Sequence, residues 1–317
     1  MTTVTTDPQH LPRYMDIATF MRVPLQRDPA GLDIAMVGVP YDGGTTCRAG
    51  ARHGPREIRN QSSLVRGIHH VHRFNPFDLC RIADAGDVVF EKVFDRDTVL
   101  ADIETFYRGI IAAGALPLTA GGDHSITWPI FRAVAAQRPI GMIHVDAHCD
   151  TWGDWGGSRF HHGSPFRCAV EEGLLDPKHA VQIGIRGGQM VDDGWRFSAE
   201  SGMRVIFMEE FSALGVEAVI AEARSVVGDG PTYITFDVDG LDPVYAPGTG
   251  TPEIGGITTR EAQQLLRGLI GLNLVGGDVV EVSPPFDPSG NTALVGATMM
   301  YEILCLLADA VQSRRRK

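Results

Sequence analysis

Several signals that commonly reveal the class of a protein are missing from this sequence of 317 residues. It has five cysteines but no pair at the CxxC spacing of a metal or redox motif, so we interpret them as reduced thiols. No uninterrupted apolar run approaches the ~18 residues of a membrane span, and residues 1–10 lack the apolar core of a signal peptide. We therefore expect a cytoplasmic protein that folds without disulfides.

An excess of positive charge is also missing. The net charge of −11 and the pI of about 5.4 argue against nucleic acid or an anionic membrane as the main partner. Neither GxGxxG nor GxxxxGK[ST] occurs, so the glycine-rich segment 41–59 is predicted to be a structural rim loop and not a phosphate cradle. A small molecule is the partner that these absences leave.

What is present is an alternation of buried strands and helices along most of the chain. Apolar runs of strand length recur, and segments with helical spacing separate them, for example residues 97–113 and 258–268. This order predicts an α/β fold, a three-layer αβα sandwich around a doubly wound parallel sheet. No linker or repeat divides the sequence. We expect one domain over residues 1–317, with residues 1–30 as an N-terminal arm.

The predicted strand at residues 140–145 ends in candidate metal ligands. Asp146, His148 and Asp150 follow it at i, i+2 and i+4, and in an extended chain this period points all three to one side. Two carboxylates and an imidazole crowded together repel one another and lose solvation unless a cation joins them. For this segment alone, a solvated polar strand end remains an alternative. Cys149 should face away and is read as a packing residue.

Two further predicted strands end in the same residue types. Asp237 and Asp239 follow the strand 232–236, and His124 follows the strand 116–119 after a Gly-Gly turn. Open α/β sheets bind ligands at the carboxyl ends of their strands. Four carboxylates and two imidazoles without a thiolate suit two bridged divalent ions better than one tetrahedral ion. Because such a pair activates water and polarises a substrate, the residues indicate metal-dependent hydrolysis.

The three segments resemble the signatures of a known family. GGDHS (121–125), DAHCD (146–150) and FDVDGLDP (236–243) are similar to the three motifs of the ureohydrolases, the arginase/agmatinase family. The resemblance covers nearly the whole chain, and the loop at 48–57 is most similar to bacterial guanidinopropionases and guanidinobutyrases. It implies an arginase-like sandwich and an amidinohydrolase that cleaves a guanidino compound to urea and an amine.

The resemblance also implies roles for individual residues. Two divalent ions, Mn²⁺ or alternatively Ni²⁺, are expected on a set of six ligands: His124 and Asp150 on one ion, His148 and Asp239 on the other, and Asp146 and Asp237 as bridges. Asp150 is expected to take a proton from the attacking water, and His162 to relay it to the leaving amine. Glu281 is expected to pair with the guanidinium.

The loop after Asp150 departs from the family pattern. Relatives commonly carry Asn where this chain has Trp152, and Trp155 stands where the pocket-sizing side chain is expected. A tryptophan covers ~200 Å², so the two rings could shorten the pocket for guanidinoacetate, guanidine or methylguanidines, or stack on the cation. Facing outward, they would leave an ordinary pocket for 3-guanidinopropionate. We expect Trp152, Trp155, His162 and Glu281 to bind the substrate, a small guanidino acid.

Other interpretations stay open. Agmatine is an alternative substrate, and the same metal architecture could instead support a different hydrolysis such as deacetylation. A non-catalytic partner subunit is a further alternative. Arg52 and Arg59 could anchor a substrate carboxylate but are favoured as rim or subunit-contact residues. The resemblance implies a homo-oligomer, a trimer or a homohexamer.

Overall fold

The computed structural model describes residues 11–316. These residues form one eight-stranded sheet in the order β2-β1-β3-β8-β7-β4-β5-β6, in which every pairing is parallel. The strands are β1 (Ile34–Gly38), β2 (Ile82–Asp87), β3 (Leu116–Ala120), β4 (Ile140–Val145), β5 (Leu175–Ile185), β6 (Arg204–Phe207), β7 (Thr232–Asp237) and β8 (Leu274–Val280). The helices are α1 (Gly54–Ser62), α2 (Pro76–Leu79), α3 (Arg96–Ala112), α4 (Thr127–Val134), α5 (Pro165–Glu171), α6 (Asp193–Ser201), α7 (Met208–Leu214), α8 (Val216–Val227), α9 (Thr259–Arg267) and α10 (Asn291–Arg316).

Helices cover both faces of the sheet, which confirms the predicted three-layer α/β fold. Successive side chains of a strand point to opposite faces, and in β1 Ile34 and Met36 join one core while Ala35 and Val37 join the other. Helices α3, α4 and α5 contribute to the second core, whereas α8, α9 and α10 contribute to the first. Burial on both faces explains why the strands read as continuous apolar runs.

The strand order brings the candidate site together. Strands β3, β8, β7 and β4 are consecutive neighbours in the middle of the sheet, although they are far apart in sequence. Since all of them run in the same direction, their carboxyl ends meet at one edge. The predicted ligand Asp237 is the last residue of β7, and the segments that follow β3, β4, β7 and β8 carry the other predicted ligands and Glu281. The fold therefore explains how residues 157 positions apart, such as His124 and Glu281, come into contact.

Several element boundaries differ from those predicted. Strand β4 agrees with the prediction, and the predicted helices 97–113 and 258–268 correspond to α3 and α9, whose ends differ by one residue. Helices α6 and α7 were not predicted. Helix α6 begins in a polar, glycine-containing stretch, and α7 follows β6 directly with no turn residue between them. Asp192 precedes α6 as a possible cap but makes no capping hydrogen bond, and Phe207, which precedes α7, has no side chain that can cap a helix.

Helix α10 is long and apolar enough to cross a membrane by length and composition. However, 78% of its apolar 18-residue window is buried inside the protein, so we interpret α10 as a helix of the first core. At the other end of the chain, Phe20 and Met21 are buried, and the Phe20 amide donates to Asp84 of β2 at 3.0 Å. The predicted arm thus packs on its own domain from residue 19 onward, whereas residues 12–18 are exposed; residues 1–10 lie outside the described residues.

Candidate metal centre and substrate cavity

The ends of β4 and β7 are locked together by close backbone packing. Gly240 lies so near β4 that a Cβ atom there would be 2.9 Å from the Asp146 amide nitrogen, so only glycine fits. The Asp239 carboxylate accepts the Ala147 amide at 3.2 Å, and Asp237 accepts the Asp239 amide at 2.8 Å. These contacts hold the two carboxylate-bearing loops in a fixed relation before any ligand binds.

His124 points its Nδ1 atom into a group of three carboxylates. The nitrogen lies 2.9 Å from Asp150 Oδ2, 3.1 Å from Asp146 Oδ2 and 3.2 Å from Asp237 Oδ2. Asp150 reaches this position with a left-handed backbone, φ +52°, which is uncommon for a residue other than glycine. Strain of this kind persists only where the surrounding structure enforces it, and it is typical of functional sites.

His148 forms the second half of the cluster. Its Nδ1 atom lies 3.2 Å from Asp239 Oδ2 and 3.3 Å from Asp146 Oδ1. Asp146 therefore stands between the two histidines and offers one oxygen to each. Asp237 approaches His124 with one oxygen while its other oxygen caps the Asp239 amide. All six residues predicted as metal ligands are thus brought into one cluster, and their role as ligands stays a prediction.

The donor atoms of the cluster fit divalent ions. Ligands about 2.1 Å from an ion and at right angles are about 3 Å apart, which is the spacing found around His124 and His148. His124 Nε2 contacts the Thr235 hydroxyl at 2.8 Å, and that hydroxyl donates to Asp278 at 2.6 Å. The hydroxyl can then only accept from Nε2–H, so the Nδ1 lone pair of a neutral imidazole faces three carboxylate oxygens. A cation resolves that conflict.

Electrostatics lead to the same conclusion. Burial and the charges of Asp239 and Asp146 raise the pKa of Asp237 well above its usual range. Burial, together with Asp146, raises the pKa of Asp239 to about 6. Although burial alone would lower the pKa of His124, the carboxylates around it raise that pKa well above its usual range. Carboxylates that repel one another in a buried cluster are stabilised by bound cations.

Glu281 and His162 form a pair beside the cluster. His162 Nδ1 lies 2.9 Å from Glu281 Oε1, and His162 Nε2 lies 2.6 Å from the Thr46 hydroxyl. Burial alone would lower the pKa of His162, but the charge of Glu281 and its hydrogen bond raise that pKa to about 9. Glu281 also has a left-handed backbone, φ +63°, and its Oε1 accepts the His124 amide at 3.0 Å. Its Oε2 atom is buried without a hydrogen-bond partner among the described residues.

A cavity of about 400 Å³ opens over the cluster, and Asp150, Asp237, Asp239, His148 and His162 are among the residues that line it. Trp152 lines this cavity. Trp155 is not one of its lining residues: it is 45% exposed and starts a tight turn in which its backbone pairs with that of Ser158. This Oε2 atom of Glu281 lies close to the lining residue Gly250: a Cβ atom at Gly250 would be 3.5 Å from Oε2.

Sequence reasoning missed several residues that support the site. His144 projects from β4 and contacts Asp146 Oδ2 at 2.7 Å. Thr235 and Asp278 orient His124, as described above. The Arg186 guanidinium holds the loop after β7 by donating to five backbone carbonyls, those of Gly184, Asp239, Gly240, Leu241 and Glu253. Each is a buried polar side chain, a signal that needs the fold to be recognised.

One further group of potential ligand side chains occurs within residues 11–316, remote in sequence from the first. His69, His72 and Glu302 lie close together, but Glu302 is already paired with Arg267 and bonded to His69 at 2.9 Å. The His69 Nδ1 atom accepts the amides of two following residues. Because its carboxylate is neutralised by an arginine, we interpret this group as a structural network between α9, α10 and the loop after α1.

Comparison with known proteins adds independent information. Residues 32–306 match the Arginase family. The chain is 61% identical to guanidinopropionase of Pseudomonas aeruginosa over 305 residues, which are 96% of each chain. It is 47% identical to guanidinobutyrase of the same species, covering 95% of this chain and 96% of the relative. Among solved structures, proclavaminate amidino hydrolase of Streptomyces clavuligerus superposes with a TM-score of 0.91 at 42% identity, covering 95% of this chain and all of that one.

The match extends over most of the chain and through all three ligand-bearing segments. Both the resemblance stated from the motifs and the arginase-like fold that it implied are confirmed. The chain belongs to the arginase family.

Proposed function

We propose that this amidinohydrolase of the arginase family cleaves a small guanidino acid, such as 3-guanidinopropionate, to urea and an amino acid. The observation that carries the proposal is Glu281, whose buried Oε2 atom has no hydrogen-bond partner within residues 11–316 and approaches the cavity above the cluster. A carboxylate in that position suits a planar guanidinium, which offers paired N–H donors. The similarity to guanidinopropionase and guanidinobutyrase supports an acid as the rest of the substrate.

We propose His124, Asp146, His148, Asp150, Asp237 and Asp239 as the ligands of two divalent ions. When bound, the ions would supply a water of lowered pKa and polarise the guanidinium. The side chains of this protein do the rest. Glu281 Oε2 accepts guanidinium N–H groups and aims the central carbon at the cluster. A carboxylate oxygen of Asp150 takes the proton of the attacking water, since Asp150 both lines the cavity and contacts His124.

His162 is the proposed proton donor to the leaving amine. Glu281 raises the pKa of His162 to about 9, so the imidazole holds a proton at neutral pH. It lines the cavity at 8% exposure, and Glu281 at Nδ1 and Thr46 at Nε2 hold its ring in place. Delivery of the proton converts the departing amine into a stable product. His161, next to it, also lines the cavity, but burial lowers the pKa of its imidazole, and its ring bonds to the Gly153 carbonyl at 2.9 Å.

The function is tested by measuring urea release from a panel of guanidines. The panel contains guanidine, methylguanidine, guanidinoacetate, 3-guanidinopropionate, 4-guanidinobutyrate, agmatine and arginine, each assayed with Mn²⁺ and with Ni²⁺. We expect the highest kcat/KM for a short guanidino acid. A preference for arginine would contradict the proposed pocket, and release of acetate from acetylated amines without urea would favour a different hydrolysis.

Removing the metal gives a second test. We expect that prolonged dialysis against a chelator abolishes urea release and that two divalent ions per chain restore it. Metal content by mass spectrometry and activity are followed in the same titration. Mn²⁺ is the proposed ion, with Ni²⁺ as the alternative because the same His/Asp donors accept both. Full activity of the metal-free protein would contradict the proposal.

Agmatine is the second candidate substrate, and one residue favours it. Glu253 lines the cavity, and its carboxylate lies 4.0 Å from His148 Nε2. A carboxylate at that position could face the terminal ammonium of agmatine. The chain is also 47% identical to a mitochondrial agmatinase of Gallus gallus, covering 93% of this chain and 87% of the relative. Comparing agmatine with 4-guanidinobutyrate in the same assay separates the two functions, since only the charge at the far end differs in sign.

The hydrogen bonds behind His124 should matter for metal affinity. We expect Thr235→Val to weaken metal binding about 10- to 100-fold, because without the hydroxyl the imidazole loses the contact that directs Nδ1 at the carboxylates. Equilibrium competition with a chromogenic chelator measures the affinity. Thr235→Ser keeps the hydroxyl and should bind the metal as tightly as the unaltered protein. Thr232→Val, at the start of β7, where the threonine hydroxyl donates to the Gly230 carbonyl, is the matched control.

Location and assembly remain proposals. We propose a cytoplasmic homo-oligomer, a trimer or hexamer. Analytical ultracentrifugation of the purified protein measures its size, and a monomer would contradict the proposed assembly.

A further inference from the structure

We propose that Arg48 receives the carboxylate of the substrate, and that this contact makes the enzyme selective for guanidino acids over guanidines with a neutral or cationic tail. The inference rests on the proposed function, because it concerns the other end of the same substrate. Arg48 lines the cavity above the cluster. It was not one of the arginines considered as carboxylate anchors from the sequence.

The two arginines considered from the sequence are already paired. Arg52 donates from Nε to Asp42 at 2.5 Å. Arg59 is bound to Asp84 at 2.7 Å and to Asp87 at 2.6 Å. Neither is a lining residue of the cavity. Their guanidinium groups neutralise carboxylates of the protein, so neither is available to a substrate.

Arg186 lines the cavity but is also occupied. Its guanidinium donates to the five backbone carbonyls named above and is only 8% exposed. Arg48, by contrast, is exposed and makes no hydrogen bond or ion pair with the residues at 11–316. Its guanidinium carbon lies 5.4 Å from the centroid of the Phe286 ring. Among the arginines that line the cavity, Arg48 therefore has a guanidinium free for an anion.

The position of Arg48 is fixed relative to the reacting end. Two residues earlier, Thr46 contacts His162 through both its hydroxyl and its amide, at 2.6 and 3.1 Å. A Cβ atom at Gly250 would lie 3.2 Å from the Cys47 carbonyl oxygen and 3.5 Å from Glu281 Oε2, so both atoms are close to this glycine. Arg48 itself has a left-handed backbone, φ +45°, so the loop holds an unfavourable conformation at this point.

The charges of the cavity then match a zwitterion. The cluster and Glu281 present carboxylates to the guanidinium of the substrate. Arg48 lines the same cavity, and its guanidinium N–H groups make no hydrogen bond within residues 11–316. An arginine fork binds a carboxylate through two parallel hydrogen bonds, which fixes orientation as well as charge. A guanidino acid satisfies both ends of this arrangement, whereas guanidine satisfies one.

The test compares 3-guanidinopropionate with 3-guanidinopropanamide, an isostere whose tail is an uncharged amide, in the metal-loaded enzyme. We expect the unaltered enzyme to prefer the acid and Arg48→Gln to raise KM for the acid about 10- to 100-fold with a nearly constant kcat. The amide should be hydrolysed as before. Arg48→Lys keeps the charge but loses the paired N–H donors, so its KM for the acid should lie between those of the unaltered enzyme and Arg48→Gln. Arg260→Gln, the loss of an exposed charge in the first turn of α9, is the control.

The outcomes are distinguishable. An unaltered enzyme that does not discriminate between acid and amide overturns the role of Arg48 without any variant, even where urea release supports the proposed function. Equal changes for both probes in Arg48→Gln, or no change, overturn it as well. Should Arg48→Gln fail to fold, the acid-to-amide ratio of Arg48→Lys decides by the same criterion. No urea from any guanidine contradicts the proposed function and this inference with it.

Discussion

Replacing Asp146 by alanine should abolish urea release, with a loss of at least about a thousandfold in kcat/KM. Asp146 is fully buried and offers one oxygen to each of the two histidines of the cluster, Oδ2 to His124 and Oδ1 to His148. Its loss removes the proposed bridge between the two ions. We therefore expect metal binding and activity to fall together, as measured by metal content per chain and by a urea assay.

Stability must be separated from chemistry in this experiment. Asp146 also contacts His144 at 2.7 Å, so its removal leaves a buried imidazole with one contact fewer. Asp146→Asn keeps the shape with less charge and should also lose metal, while circular dichroism reports folding. Asp229→Ala removes an exposed carboxylate before β7 and should change neither metal content nor rate. Two tightly bound ions and substantial turnover in Asp146→Ala would show that Asp146 is not a bridging ligand.

The sequence predicted the place of the site well because the relevant physics is local. Asp237 and Asp239 follow a buried strand at a spacing of two, and the parallel sheet brings that strand end beside β4. Strict alternation was an incomplete description of residues 146–150, however. Asp150 reaches the cluster with a left-handed backbone, whereas alternation with a period of two assumes an extended backbone at every residue. The loop leaves extended geometry before its last proposed ligand.

The residues that sequence reasoning missed share a physical cause. His144, Thr235 and Asp278 lie inside apolar strands, where a single polar residue does not disturb the pattern. Their importance comes from partners on other strands, for example the contact of Thr235 on β7 with His124 after β3. Arg186 acts on carbonyls up to 67 residues away. Such contacts depend on which strands become neighbours, and local spacing contains no information about that order.

The second large effect is expected for Glu281→Gln. Glu281 is 1% exposed, and its Oε2 atom is the proposed acceptor of the guanidinium, so the variant replaces a charged contact with a neutral one. Loss of a charge-assisted contact that aligns the reacting carbon should lower kcat/KM by about a hundredfold or more. Metal content should stay at two ions per chain, which distinguishes this effect from that of Asp146→Ala.

A pH profile makes the same variant more informative. Glu281 raises the pKa of His162 to about 9, and a proposed proton donor works only below its own pKa. Activity of the unaltered enzyme should therefore fall as the pH rises through about 9. In Glu281→Gln the charge that holds this proton is gone, so the pKa of His162 falls and the alkaline decline should move to lower pH.

Glu209→Gln, on the exposed first turn of α7, is the control and should leave the profile in place. An unshifted alkaline decline in Glu281→Gln would mean that His162 is not the donor, whereas loss of both ions would mean that Glu281 acts through the metal cluster and not on the substrate.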